Sequence, residues 1–363
     1  MNAHLRRSAV PVAVAVLAVS LAGCGGEEGS GVRTSDDITV GLLLPENDAA
    51  RYEKFDKPVI EEKIAQLTNG KGQVAYANAR QDAALQLKQV DDMIRDKVDV
   101  LILDPVDAKA IAPGVEKADK AGIPVVAFDR LAQGPIDAYT SFDNEEVGHV
   151  QGKALLEALG DRAKTGQIVM MNGALTDPNA AQFKQGALAE LKGKVTIGKE
   201  YDTKEWKPEN ATANMREAIS ALGKDKIVGV YSANDGMAGG IITALKGDGF
   251  FPIPPVTGQD AELAAVQRIV AGEQYMSVYK PYAPEANAAA EMAILLARGM
   301  SLDSMAQADV DTPTTKGVPS VLVPVISLTK ENLKDTVIAD GVYTAADICT
   351  PKFKEDCAEL GLK

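Results

Sequence analysis

Two short apolar runs decide the fold: Val98-Asp-Val-Leu-Ile-Leu103, closed by Asp104-Pro105, and Ile123-Pro-Val-Val-Ala-Phe128, closed by Asp129-Arg130. Both are rich in branched residues and too short for helices, so both read as buried strands. Residues 108–121 between them read as a helix. Strand, helix and strand joined by short loops are the signature of a parallel, doubly wound sheet.

The same rhythm extends outward. On the N-terminal side, Ile38-Thr-Val-Gly-Leu-Leu-Leu44 and residues 73–77 read as strands. Helices follow each, over 51–67 (apolar at Phe55, Val59, Ile60, Ile64 and Leu67) and 82–94. On the C-terminal side the rhythm restarts. Helices are expected over 144–159, 179–191, 208–222, 236–245, 263–271 and 284–298, with strands at 167–171, 195–201, 227–231 and 276–278 and another ending at Val256. Two successive α/β units predict an α/β protein of two Rossmann-like lobes joined by a hinge. Their ligand is expected beyond the carboxyl ends of the strands, in a cleft that hinges shut. The expected division is 37–140 plus about 280–312 for the first lobe and 141–279 plus about 313–345 for the second, with a tail over 346–363.

Composition narrows the class. The 363 residues are 46% hydrophobic and 25% charged, which is globular, and the length suits about two domains. A net charge of −13 lacks the cationic field that nucleic-acid binding needs. Two histidines, His4 and His149, leave little for a metal or triad site, and no metal or cofactor is expected. No Gly-x-Gly-x-x-Gly or Gly-x-x-x-x-Gly-Lys follows any strand, which disfavours dinucleotide and P-loop enzymes.

The first residues are not read as fold. Arg6 and Arg7 precede an apolar stretch, 9–22, of secretory-signal length, ending Leu21-Ala22-Gly23-Cys24. This end resembles the bacterial lipobox, in which the cysteine becomes the lipid-modified first residue. Residues 1–23 are therefore expected to be removed, Cys24 to carry a lipid, and 24–36 to be a flexible tether. Loss of the two arginines takes the charge from −13 to −15. Cys349 and Cys357 remain, and outside the cytoplasm an even remainder points to a disulfide rather than two thiols. No later segment carries eighteen consecutive apolar residues.

Polar residues cluster just past the strands. Arg51 and Tyr52 follow the first, Asp129-Arg130 the fourth, and Asp177 and Asn179 the strand over 167–171. Trp206, Asn234, Asp260 and Lys280 follow later ones. Carboxylates accept hydrogen bonds, Arg and Lys donate, Asn does both, and an aromatic plane stacks on C–H faces. The set fits a neutral, polyhydroxylated ligand better than an anion or a hydrophobe. Asp177, Asp235 and Asp260 are equally placed to N-cap the helices that follow. Asp129 and Asp260 could also serve as the carboxylate pair of a hydrolase.

At these residues the sequence resembles the type I periplasmic sugar-binding proteins of ABC importers. The matching stretches are Ala127-Phe-Asp-Arg130, Ser141-Phe-Asp-Asn-Glu145, Trp206-Lys-Pro-Glu-Asn210, Ser232-Ala-Asn-Asp235, Gly258-Gln-Asp-Ala261 and Val278-Tyr-Lys-Pro281. Asp-Arg and Asn-Asp are shared by pentose and hexose binders. Their combination with Trp206, Gln259-Asp260 and Tyr279-Lys280-Pro281 points to the xylose binders. The resemblance implies that Arg51, Asp129 and Arg130 bond sugar hydroxyls from the first lobe. It gives the same task to Asn179, Trp206, Asn234 and Asp260 in the second, with Asp177 beside Asn179 and Lys280 near the hinge. Tyr52 stands where the xylose binders carry a second indole. The implied protein is a monomer without enzymatic activity, anchored outside the cell membrane, which hands a monosaccharide to an ABC permease. A sugar-sensing receptor shares the same fold.

Overall fold

The first strand, β1 (Thr39–Leu44), forms where the sequence places its most branched run, and the chain then alternates as α1 (Lys57–Leu67), β2 (Gln73–Asn78), α2 (Ala83–Arg95), β3 (Val100–Leu103), α3 (Ala112–Lys120), β4 (Val125–Phe128) and β5 (Ala138–Phe142). It continues through α4 (Asn144–Leu159), β6 (Gln167–Asn172), α5 (Pro178–Leu191), β7 (Thr196–Asp202), α6 (Pro208–Leu222), β8 (Ile227–Ser232), α7 (Asp235–Gly247), α8 (Leu263–Val270) and β9 (Ser277–Tyr279). The chain then forms α9 (Tyr282–Ala297), β10 (Ala308–Val310), β11 (Val318–Val323) and β12 (Ile326–Leu328), and short helices at Ala345–Ile348 and Lys354–Glu359 follow in the tail. This computed structural model describes residues 35–362 except 48 and 50. The expected signal segment 1–23, Cys24 and the tether up to residue 34 lie outside the described residues.

Seven strands form the first sheet, in the order β10-β11-β5-β4-β3-β1-β2, all parallel except β10. Strands β3, β4 and β5 are buried throughout because helices cover both faces of the sheet. Ile60 and Ile64 of α1 and Ala286, Ala289 and Ala293 of α9 pack with Leu42, Val100 and Phe128 on one face. Val90 of α2 and Val115 and Ala118 of α3 pack with Leu43, Leu101 and Val125 on the other. The second sheet has the parallel order β7-β6-β8, continued by single bridges from Val230 to Val256 and from Gln259 to Val278. Met170, Met215, Tyr231 and Ile241 centre its core.

The chain passes between the sheets at Asp143, at Lys280-Pro281 and after Val323. Strands β9 and β12 pair antiparallel, with Ile326 opposite Tyr279, so two of the passing segments are hydrogen-bonded to each other. This corrects the expected division. Ser141 and Phe142 complete β5, and β11 lies parallel to β5 in the first sheet, whereas the sequence pattern places 141–142 and 313–323 in the second lobe. The period of an apolar run reveals a buried strand but not the edge it joins. After β12 the tail lays Ile348, Phe353, Cys357 and Leu362 against Val266, Ile269 and Leu328. Cys349 and Cys357 are bonded, with Cα atoms 5.8 Å apart. Among the described residues no helix is long and apolar enough to cross a membrane.

Close approach of α4 and α5 sets the mouth of the second lobe. Gly148 lies on the backbone of Phe183 and Gly186 on that of Glu145, and a Cβ at either position would collide with a carbonyl oxygen. Asp177 caps α5 by accepting from Asn179 N at 2.9 Å, and Pro178 occupies the first turn, where its fixed φ is pre-set for a helix. The start of α5, with Asn179 and Phe183 on it, is thereby fixed against α4. Gly186→Val should destabilise the fold by about 3 kcal/mol, since backbone cannot yield as a side chain does. Urea unfolding checks this, and a midpoint equal to that of the parent protein would show the crossing to be loose.

Candidate functional site

The carboxyl ends of both sheets open onto one cavity of about 700 Å³. All ten residues singled out in the sequence line it: Arg51, Tyr52, Asp129, Arg130, Asp177, Asn179, Trp206, Asn234, Asp260 and Lys280. Five of the nine described non-glycine residues with left-handed backbone also line it, namely Gln81, Asp129, Glu205, Trp206 and Asp260. Such backbone is costly and persists where surrounding bonds over-determine it. At Asp129 (φ 56°) the backbone N donates to Thr140 O at 2.9 Å. Its carbonyl accepts from Tyr139 Oη at 2.9 Å and Ser141 Oγ at 2.7 Å, so β5 pins the turn that follows β4.

On the first-sheet side Arg51 is buried and donates to three carboxylates. Nε reaches Asp56 Oδ2 at 2.8 Å, Nη2 reaches Glu285 Oε2 at 2.7 Å, and Nη1 bonds Asp129. The guanidinium also lies 4.7 Å from the Tyr282 ring centre and 5.2 Å from that of Tyr52. Burial disfavours its charge, but Asp129, Asp56 and Glu285 more than offset this and hold the proton more firmly than usual. Three carboxylates cannot all ionise on one cation. Burial lifts Glu285 well above the carboxylate range and Asp56 to about 6. Asp129 is buried too, yet Arg51, Lys280 and Arg130 together hold it below its ordinary value. Arg130 donates from Nη1 to Pro105 O at 3.2 Å and from Nη2 to Tyr52 Oη at 3.4 Å, and its Nε lies 3.0 Å from Asp177 Oδ2 as an ion pair.

The second sheet supplies the opposite wall. Asn179 Nδ2 donates to Asp129 Oδ1 at 2.7 Å, so the two walls touch directly. Lys280 Nζ lies 3.3 Å from Asp260 Oδ1, between the rings of Phe142 and Phe183. Trp206 meets Phe183 edge-on, with centroids 6.3 Å apart, and lies over Gly173, where any side chain would overlap the indole. Trp206 Nε1 and Asn179 Oδ1 are buried without a protein partner among the described residues. A buried polar group normally has a partner, so these two are ready for one from a ligand.

The capping alternatives divide. Asn234 Oδ1 caps α7 through Met237 N at 2.9 Å. Asp235 is not the cap: it is fully buried, accepting from Gln274 Nε2 and Ser277 Oγ, each at 2.7 Å. Asp260 caps no helix, while Asp177 both caps α5 and pairs with Arg130. The cavity also takes Glu46, which follows the first strand, and Phe183 and Glu262, which strand-end position alone does not mark. Phe183 was within reach, since it lies one helical turn beyond Asn179. Donors, acceptors and an aromatic plane converge here, and among the described residues no group of His, Cys, Asp or Glu is arranged to hold a metal.

Beneath the second wall burial pushes Asp235 up to about 7, and burial with neighbouring Asp235 and Asp260 pushes Glu262 up to about 8. The folded state then holds protons that the unfolded chain, with ordinary carboxylates, has released, so stability falls as pH rises from about 4 to about 7 or 8. Asp235→Asn should flatten that slope in urea unfolding at pH 4.5 and 7.5. An unchanged slope would mean Asp235 is ionised throughout.

With this geometry in place, the comparisons are specific. Residues 40–301 match the model of the periplasmic binding protein domain. The chain is 36% identical over 321 residues to the D-xylose-binding periplasmic protein of Escherichia coli, covering 86% of this chain and 93% of that one. It is 34% identical over 320 residues to the protein of the same description from Haemophilus influenzae, with the same coverage. In structure it is similar to an ABC transporter solute binding protein from Clostridium phytofermentans with bound β-D-glucose (TM-score 0.78, 27% identity, 85% of this chain and 99% of that one). The chain belongs to the periplasmic binding protein family.

Proposed function

We propose that this protein captures a monosaccharide, D-xylose foremost, in the cavity between its two sheets and delivers it to an ABC permease without making or breaking a bond. One observation carries the reading. Charged side chains that neutralise one another, amides and a single indole from both sheets face one cavity, which is the inventory a neutral polyol needs. Sugar-binding relatives with 36% and 34% identity support the ligand class. In this reading Asp129, Arg130 and Arg51 hold hydroxyls from the first wall, with Tyr52 beside them. Asn179, Asn234 and Asp260 hold them from the second, Trp206 covers the apolar ring face, Asp177 orients Arg130, and Lys280 contributes from the hinge. Closure follows because only the closed form offers both walls at once. The protein acts as a monomer outside the cytoplasm, and Cys24 carries the lipid that keeps it at the membrane.

Calorimetric titration with xylose, ribose, glucose, galactose and arabinose should show xylose bound tightest. Loss of a charge-assisted bond in Asp260→Asn, or of the indole in Trp206→Ala, should weaken binding by at least about tenfold. Binding of none of the five would refute the sugar reading, and unchanged affinity in both variants would refute the site assignment.

The anchor is tested separately. In cells expressing the full chain, labelled palmitate should enter the parent protein and not Cys24→Ser, and the variant should shift to the soluble fraction. Equal labelling of the two would rule out the lipid at Cys24.

A further inference from the structure

Tyr282 stands outside the cavity lining yet touches both of its walls. It opens α9, directly after the passage at Lys280-Pro281, and its side chain is buried. Its ring lies 4.7 Å from the Arg51 guanidinium, on the first wall. Its hydroxyl donates to the backbone oxygen of Asp260 at 2.6 Å, on the second. Asp260 needs such support, because its φ is 92° and that of Ala261 is 49°. Two backbone N–H groups of this turn, Asp260 N to Val278 O at 2.9 Å and Ala261 N to Ser277 Oγ at 3.0 Å, bond to the second lobe, and Lys280 pairs with the Asp260 carboxylate from the passage. Tyr282 is thus the contact that refers the Asp260 turn to Arg51.

The C-terminal tail backs this contact. Phe55 stacks on Tyr282, with centroids 5.5 Å apart, and Tyr343 meets Phe55 edge-on at 6.2 Å. Lys54 Nζ lies 5.2 Å from the Tyr343 ring centre. Tyr343 is held in turn by the tail, whose Ile348, Phe353 and disulfide-bonded Cys357 pack on Val266, Ile269 and Leu328. Phe55 belongs to the segment that carries Arg51, whereas α8 belongs to the second lobe. The row Tyr343, Phe55 and Tyr282 therefore runs from the tail to the two groups that face each other across the cavity.

We propose that Tyr282 is a positioning residue that sets Asp260 against Arg51 across the cavity, and that the disulfide-closed tail holds it in register through Tyr343 and Phe55. This rests on the sugar-binding reading above. Tyr282 touches no ligand in this scheme. It governs how completely the two walls come together, and so chiefly the rate at which the closed form lets its ligand go.

The test compares the parent protein with Tyr282→Phe, Tyr343→Ala, Tyr343→Phe and the double variant Tyr282→Phe/Tyr343→Ala. Each is titrated with the tightest-binding of the five monosaccharides, its dissociation rate measured by stopped flow and its ligand-free stability by urea. One lost hydrogen bond predicts about tenfold weaker binding for Tyr282→Phe, carried by faster dissociation, with an unchanged unfolding midpoint. Tyr343→Ala, which also lowers the unfolding midpoint by truncating a buried ring, should weaken binding beyond that loss of stability, Tyr343→Phe should restore it, and the double variant should fall short of the product of the single effects. Binding by the parent with equal affinity in Tyr282→Phe and Tyr343→Ala overturns this proposal alone. So does weakening that only tracks lost stability. No binding by the parent overturns the sugar reading and this proposal with it.

Discussion

One buried guanidinium shared by three carboxylates organises the site. An unpaired Arg51 buried in the protein would carry a desolvation cost on the order of several kcal/mol, and so would an unpaired ionised Asp129. Each is paid for by the other, and Asp56 and Glu285 complete the donor pattern of Arg51. Because those acids come from different elements, the network fixes the segment after β1, the turn after β4 and the start of α9 relative to one another. Removing Arg51 or Asp129 would leave its buried partner uncompensated, which costs more than the intact pair contributes.

The same network explains the preference for a neutral ligand. The cations of the first wall are already matched: Arg51 by its three acids, Arg130 by Asp177 and Asp104. An incoming anion would find no uncompensated positive charge there, and a cation would meet Lys280 and both arginines. A hydroxyl carries a donor and an acceptor together, so it can join such a network without changing its charge. One hydrogen bond, Asn179 to Asp129, and one ion pair, Arg130 with Asp177, already join the walls.

Much of this was legible in the sequence for a definite reason. Asp129-Arg130 and Asn234 follow buried strands, and in a parallel sheet that position faces the ligand whatever the detail of the loops. All ten expected residues meet in one cavity on that argument. Glu285 was not legible, because it lies inside a helix whose Ala-rich pattern reads only as core, and Tyr282 was not, because it falls between the expected strand over 276–278 and the expected helix over 284–298. Asn234 and Asp235 were separable only by geometry, since either side chain has the chemistry of a cap. The partner of β11 was hidden too, because an apolar run of six residues fits any sheet edge.

The ionisation pattern extends the argument to the second wall. With burial pushing Glu262 to about 8, that carboxyl keeps its proton near neutrality and presents both an O–H donor and a carbonyl acceptor to the cavity. Asp129 opposite stays ionised and offers acceptors only. Two acids of similar chemistry thus differ in hydrogen-bonding character because one stands among arginines and the other among acids. A ligand that must satisfy both walls needs groups that donate on the Asp129 side and tolerate either role on the Glu262 side. Hydroxyls meet that requirement at every position of a ring, whereas a carboxylate has no donor to offer Asp129.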